Sequence, residues 1–179
     1  LPVCAQHESA VSIVDDAFVG VAAEVDATVT TRAGLGLGSL SADCVLIVLA
    51  DPVAGVIATA HCGRPGLLAG VVDATVGAMR QRGAGAIRAA LGPSICGWCY
   101  EVPPAMADEV VAIVPAAQAR SRVGTSALDV AAGVLSQLAA HDVEVVRRVG
   151  GCTREDPALF SYRRDAVTGR QGALVWRTA

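Results

Sequence analysis

The chain has 179 residues, a net charge of −3 and 53% apolar residues, with a mean hydropathy of +0.51. That composition suits one domain with a substantial core and argues against a disordered chain. All 14 basic residues are arginines and none builds a basic block, which argues against nucleic acid as the main partner and excludes a Walker lysine and lysine Schiff-base chemistry.

The start, Leu1-Pro2-Val3, has no basic n-region and no long hydrophobic segment. It does not resemble an initiation site, so residues are expected to be missing before it. No apolar run reaches the roughly 18 residues of a membrane span. The expectation is a soluble, cytoplasmic protein that does not partner a membrane. Its six cysteines then serve packing or chemistry rather than a disulfide framework. Cys96 and Cys99 form a C-x-x-C pair, read as two packed thiols near a turn, with redox or metal function as the alternative.

In chain order, Ala10–Val14 reads as a short strand, Val19–Ala23 as its neighbour, and 26–30 as a third extended segment. A glycine-bearing stretch, 34–38, leads into Cys44–Ala50, which is apolar and rich in β-branched residues. Asp51-Pro52-Val53-Ala54-Gly55 interrupts, and Val56–Ala60 resumes the extended pattern, predicting a hairpin. Residues 66–82 carry apolar side chains at helical spacing up to a stop at Gly83. Ile87–Leu91 is a further strand, a helix follows Pro103-Pro104 through Val111, and Ser126–Ala140 reads as another helix. Residues 143–146 and 173–176 are the last predicted strands. The alternation predicts one mixed α/β domain.

The hairpin would return Cys44, at its outer start, to His61, just past its end. With His7 near the N-terminus, these three could hold zinc while leaving one coordination position open. The same Cys44 and His61 could instead form a nucleophile–base dyad. His141 follows helix-like residues and reads as a helix-terminal residue. Arg163-Arg164, beside Asp165, suits a planar or phosphate-like anion.

Several ordered motifs resemble the YfiH/laccase-domain family, formerly annotated with polyphenol oxidases. Ser41-Ala42-Asp43-Cys44 is similar to its T-A-D-C motif, and His61-Cys62-Gly63-Arg64-Pro65-Gly66 to H-A-G-W-R-G. Gln6-His7 resembles its Q-V-H-G segment. Cys99-Tyr100-Glu101-Val102 and Phe160-Ser161-Tyr162-Arg163-Arg164-Asp165 look like two further signatures. The resemblance covers the chain from about residue 5 onward and implies an α+β fold: a single-domain α/β/β/α sandwich with mixed sheets over residues 1–179. It also implies that part of the usual N-terminal region is lacking. His7, Cys44 and His61 would be the metal ligands, for zinc or copper. The chain departs from the family where Arg64 replaces tryptophan, Pro65 replaces arginine, and Glu8 follows His7 in place of glycine.

The activities implied are purine nucleoside phosphorolysis, adenosine deamination and methylthioadenosine phosphorolysis, with purine nucleosides and phosphate as small-molecule partners. Peptidoglycan-precursor editing and laccase activity are also associated with the family. Asp43, Cys44 and His61 are the catalytic candidates, with Glu101 a second acid/base candidate. Ser161, Tyr162, Arg163 and Arg164 are the substrate-binding candidates. The alternatives are a cysteine hydrolase acting on an amide or peptidoglycan precursor, a copper-dependent polyphenol oxidase, and a non-enzymatic metal scaffold.

Overall fold

The computed structural model describes residues 2–3, 9–15 and 25–178. In chain order these form strands β1 (Pro2–Val3), β2 (Val11–Ile13), β3 (Ala27–Thr30), β4 (Gly36–Ser41), β5 (Val45–Asp51) and β6 (Val56–Cys62). Helices α1 (Arg64–Ala69) and α2 (Val71–Gln81) follow, then β7 (Arg88–Leu91) and α3 (Pro104–Ile113). A 3-10 turn at Pro115–Ala117 leads into β8 (Gln118–Arg120), β9 (Ser126–Leu128) and α4 (Val130–Ala140). The chain ends with β10 (Glu144–Arg148), α5 (Tyr162–Asp165) and β11 (Gln171–Trp176).

The expected hairpin is β5–β6, an antiparallel ladder running from Val45 opposite Cys62 to Asp51 opposite Val56. It sits at the centre of a six-stranded sheet of order β10-β7-β5-β6-β3-β2. The outer pairs β10–β7 and β2–β3 are parallel and the inner ones antiparallel, so the sheet is mixed. Strand alternation sends Val45, Ile47, Leu49, Val56, Ala58 and Ala60 into the main core with Leu67, Val72, Met79 and Leu138 of the helices. Burying such side chains contributes roughly 1.5–3 kcal/mol each, so this face is the fold's main source of stability.

The other face of β5–β6 meets a three-stranded sheet, β1-β4-β11. Here the contact is thinner and more polar. Val14, Leu37 and Ile57 form its apolar cluster, and the hydroxyls of Ser39 and Thr59 hydrogen-bond across the gap. The arrangement is a mixed-sheet sandwich within one α+β domain, as the family resemblance implies. The outer face of the small sheet exposes Leu40, Leu174 and Trp176. Among the described residues no helix is long and apolar enough to cross a membrane.

Local sequence explains where the elements differ from expectation. The helix predicted over 66–82 is two helices, broken at Gly70, which adopts a left-handed φ of 78° and caps α1. Ser126–Leu128 belongs to a β8–β9 ribbon rather than to the helix that follows. The side chain of Asp129 accepts from the Ala132 N–H, so α4 starts at that cap. Strand β4 occupies part of the glycine-bearing stretch. The predicted strand 19–23 lies outside the described residues. At the crossing of α4 and α1, a Cβ on Gly133 would come within 2.7 Å of Leu67 Cδ2, so a small residue lets these helices meet.

One buried carboxylate ties two turns to the sheet. Asp51 accepts from the N–H groups of Val53 and Ala54 in the hairpin turn and of Gly85 and Ala86 before β7. These backbone donors hold its carboxyl below the ordinary carboxylate range, Ala54 and Gly85 foremost. Its stabilisation is therefore complete above about pH 4 and is lost as pH falls through the lowered folded value. Asp51→Asn is expected to lower Tm by about 5 °C at pH 7. The difference should shrink in thermal melts at low pH, where the parent has also lost its carboxylate.

Candidate active site

Cys44 immediately precedes β5, and His61 is the penultimate residue of β6, opposite Leu46. Continued by one rung, the ladder sets Cys44 opposite Gly63, diagonal to His61, a spacing at which two side chains reach each other. Alternation puts His61 on the face of Ile57 and Thr59, toward the second sheet. The imidazole is 4% exposed.

Asp26 orients that imidazole. The carboxylate, fully buried, lies 3.4 Å from His61 Nδ1, and the Asp26 carbonyl accepts the His61 backbone N–H at 2.8 Å. A carboxylate on Nδ1 selects the tautomer in which Nε2 is the metal-binding nitrogen. Asp26 is also felt at Cys44. Burial, then the charge of Asp43, with a smaller push from Asp26, raises the Cys44 thiol to about 11. A coordinated cation would reverse that balance and ionise the thiol. The donor set therefore fits a metal: a cysteine, and a histidine already oriented by a carboxylate. The third expected donor, His7, lies outside the described residues.

Asp43 occupies a strained position, with φ at 89°. Three hydrogen bonds hold it there. Its Oδ1 accepts from Thr153 Oγ1 at 2.6 Å and its Oδ2 from the Arg163 N–H at 2.7 Å, while its carbonyl accepts from the Ile95 N–H. The carboxylate thus draws the Arg163 loop against the start of β5.

These contacts frame a cavity of about 260 Å³ whose wall includes Asp43, Cys44, Arg64, Tyr100, Tyr162 and Arg163. The Arg163 guanidinium sits 4.9 Å over the Tyr100 ring and donates to the Glu101 carbonyl at 2.9 Å. Burial raises the Tyr100 phenol above its ordinary value, while the charges of Arg64 and Arg163 and a hydrogen bond from Arg64 pull the other way. Arg64, at a position where the family motif carries tryptophan, thus brings a second guanidinium to the wall.

Two substrate-binding candidates have other engagements. Ser161 is fully buried and caps α5, its Oγ accepting from the Arg164 N–H. Arg164 donates to the carbonyls of Thr153, Asp156 and Leu159 and pairs with Asp165. Tyr162 and Arg163 face the cavity. Glu101 is exposed and meets the site through its carbonyl. His141 caps the C-terminal end of α4 and contacts Asp73 at 2.7 Å, the helix-end position its sequence context indicates.

Sequence reasoning did not assign roles to Asp26, Thr153 or Tyr100. Asp26 carried one signal, a charged residue at the head of an otherwise uncharged strand. A separate group is also brought together: Cys96, Cys99, Cys152 and Glu155 present ligand atoms within 4.8 Å of one another, a set able to hold a metal ion.

A family model described as multi-copper polyphenol oxidoreductase laccase matches residues 3–178. A purine nucleoside phosphorylase of Streptomyces coelicolor is 54% identical over 154 residues, covering 85% of this chain and 64% of that protein. The chain thus spans just under two thirds of that relative's length. A purine nucleoside phosphorylase of Streptomyces griseus is 50% identical over 175 residues, covering 95% of this chain and 71% of the relative. The crystal structure of hypothetical protein YfiH from Bacillus licheniformis superposes with a TM-score of 0.86 at 24% identity, covering 98% of this chain and 73% of that one. With the ordered motifs, the fold and a family model matching nearly its whole length, the chain belongs to the YfiH/laccase-domain family.

Proposed function

We propose that this chain is a metal-dependent purine nucleoside phosphorylase, with adenosine deamination and methylthioadenosine phosphorolysis as related reactions of the same cavity. One observation carries the reading: a single cavity joins Cys44, beside the Asp26-oriented His61, to two guanidinium groups and two phenols. Guanidinium groups suit phosphate, and phenol rings suit a planar base. The names of the two streptomycete relatives support the same substrate class.

In phosphorolysis a phosphate oxygen bonds to the anomeric carbon as the bond to the purine nitrogen breaks. Arg64 and Arg163 bind the phosphate and balance its charge. Asp43 positions Arg163 through the backbone N–H at 2.7 Å. Tyr100, its phenol protonated at neutral pH, donates a hydrogen bond to the departing base, which leaves as an anion and takes its proton from solvent. Cys44 and His61, with His7 as third donor, would hold zinc, whose Lewis acidity polarises a substrate atom when the ion is bound. Asp26 keeps His61 in the ligating tautomer.

The match to a polyphenol oxidoreductase family model favours a second reading, copper-dependent oxidation of phenols. Its physical difficulty is the donor count. Four-electron reduction of dioxygen uses several coupled copper centres, whereas the sequence holds three histidines, of which His141 contacts Asp73 at a helix end. A cysteine hydrolase would use Cys44 as nucleophile, and a thiol raised to about 11 is poorly ionised near neutrality.

The deciding measurement is turnover of inosine and adenosine by zinc-loaded protein with and without phosphate. Phosphate-dependent release of the base with ribose 1-phosphate is the expected result. Absence of any phosphate-dependent release would sink the proposal, and phenol-dependent oxygen uptake by the copper-loaded protein would put the second reading in its place. Cys44→Ala and His61→Ala should each empty the cavity site of its metal and cost at least about 100-fold of activity. Asp26→Asn should weaken zinc binding by about 10- to 100-fold in competition with a chromogenic chelator. Arg64→Ala should raise the KM for phosphate about tenfold, with a smaller change for the nucleoside.

A further inference from the structure

We infer a second metal site, separate from the cavity: a structural zinc held by Cys96, Cys99, Cys152 and Glu155. Two short turns of the same construction supply the four donors. In the first, the N–H groups of Cys99 and Tyr100 both donate to the Cys96 carbonyl at 3.0 Å. In the second, the N–H groups of Glu155 and Asp156 donate to the Cys152 carbonyl at 3.1 and 3.0 Å. Each turn therefore offers its first and fourth residues, a C-x-x-C facing a C-x-x-E.

A parallel bridge between Ser94 and Cys152 registers the turns. The Cys96 N–H donates to Cys152 Sγ at 3.3 Å, the kind of bond that favours a thiolate. All four ligand atoms lie within 4.8 Å of one another. A tetrahedral thiolate site with Zn–S bonds of about 2.3 Å needs donor separations of about 3.8 Å, so small side-chain motions close it. Packing preserves the first turn: a Cβ on Gly97 would come within 2.8 Å of Ala119 Cβ and 3.0 Å of Asp129 Cβ.

Charge and access also suit an ion. Zinc binding releases three thiol protons to solvent, including the one Cys99 Sγ now directs at Glu155 Oε1 across 3.2 Å. Arg122, paired with Glu155 and stacked 5.0 Å over Trp98, offsets part of the remaining negative charge. A second cavity, about 390 Å³, is lined by Cys96 and Cys152 and gives the ion a route in. Four protein donors leave no vacant position, so the role is structural. The ion would clamp together the turns that precede Tyr100 and include Thr153, both neighbours of the first site.

The test is zinc stoichiometry on the full chain, stripped with a chelator, reloaded and desalted. Cys96→Ser, Cys99→Ser and Cys152→Ser should each hold about one equivalent less zinc than the unaltered protein. Since these changes can impair folding, zinc protection is measured on the unaltered protein as well. Alkylation of Cys96, Cys99 and Cys152, mapped by mass spectrometry, should slow at least about tenfold on zinc binding. Equal zinc content in all four proteins, or alkylation indifferent to zinc, overturns the site. Cys44→Ala separates this inference from the cavity proposal. One tightly bound equivalent should remain in that variant, and none remaining overturns the second site whatever the fate of the first.

Discussion

The β5–β6 ladder is the constraint on which the rest depends. A seven-residue antiparallel pairing brings two motifs seventeen positions apart in sequence to one end of the sheet. Its two faces do different work. One is apolar and packed against helices, so the register cannot slip by one residue without turning Val45, Ile47 and Leu49 out of the core. The other carries Thr59 and His61 toward the small sheet. The core face therefore enforces the site's alignment although none of its side chains takes part in the chemistry.

Asp43 supplies the second constraint. A non-glycine residue at φ of 89° costs roughly 1–3 kcal/mol and persists only where its surroundings hold it. Thr153, Arg163 and Ile95 do so, from segments far away in the chain. The same bonds give Asp43 a positioning role. Both carboxylate oxygens accept hydrogen bonds that draw distant loops to the start of β5, which is how a polar region near the C-terminus becomes a wall beside Cys44.

Much of this was legible in the sequence where local pattern and tertiary structure agree. Two β-branched runs joined by the Asp51–Gly55 turn read as a hairpin, and the ladder they form brings the flanking Cys44 and His61 to one end of the sheet. The errors arise where one residue overrides a pattern. Gly70 splits a run whose apolar spacing is helical throughout. Asp129 starts α4 late because a capping carboxylate outweighs the helical reading of Ser126–Leu128. Strand β4 was obscured by glycines that suggest a loop, although a Cβ on Gly36 would meet Trp176 Cβ at 3.9 Å, an ordinary contact. Asp26 was illegible as a site residue because its role is contact with a histidine 35 positions away. Cys152 showed nothing locally, since it meets Cys96 only through the fold, beside the Ser94–Cys152 bridge.

The two cysteine-bearing groups differ in what surrounds them. Cys44 opens onto a cavity bearing arginines and phenols, and burial and the neighbouring carboxylates oppose its ionisation. Burial also opposes ionisation of Cys152, but hydrogen bonds from Cys96 and from the N–H groups of Glu155 and Arg154 outweigh it, holding this thiol below its ordinary value. Burial pushes the neighbouring Cys96 and Cys99 thiols up, the bond to Glu155 adding to the rise at Cys99, so in both groups a bound cation would be what ionises most of the sulfur donors. The shared element is Thr153, next to Cys152 in sequence and hydrogen-bonded to Asp43. Through that one hydroxyl, the order of the closed cluster bears on the geometry of the open cavity.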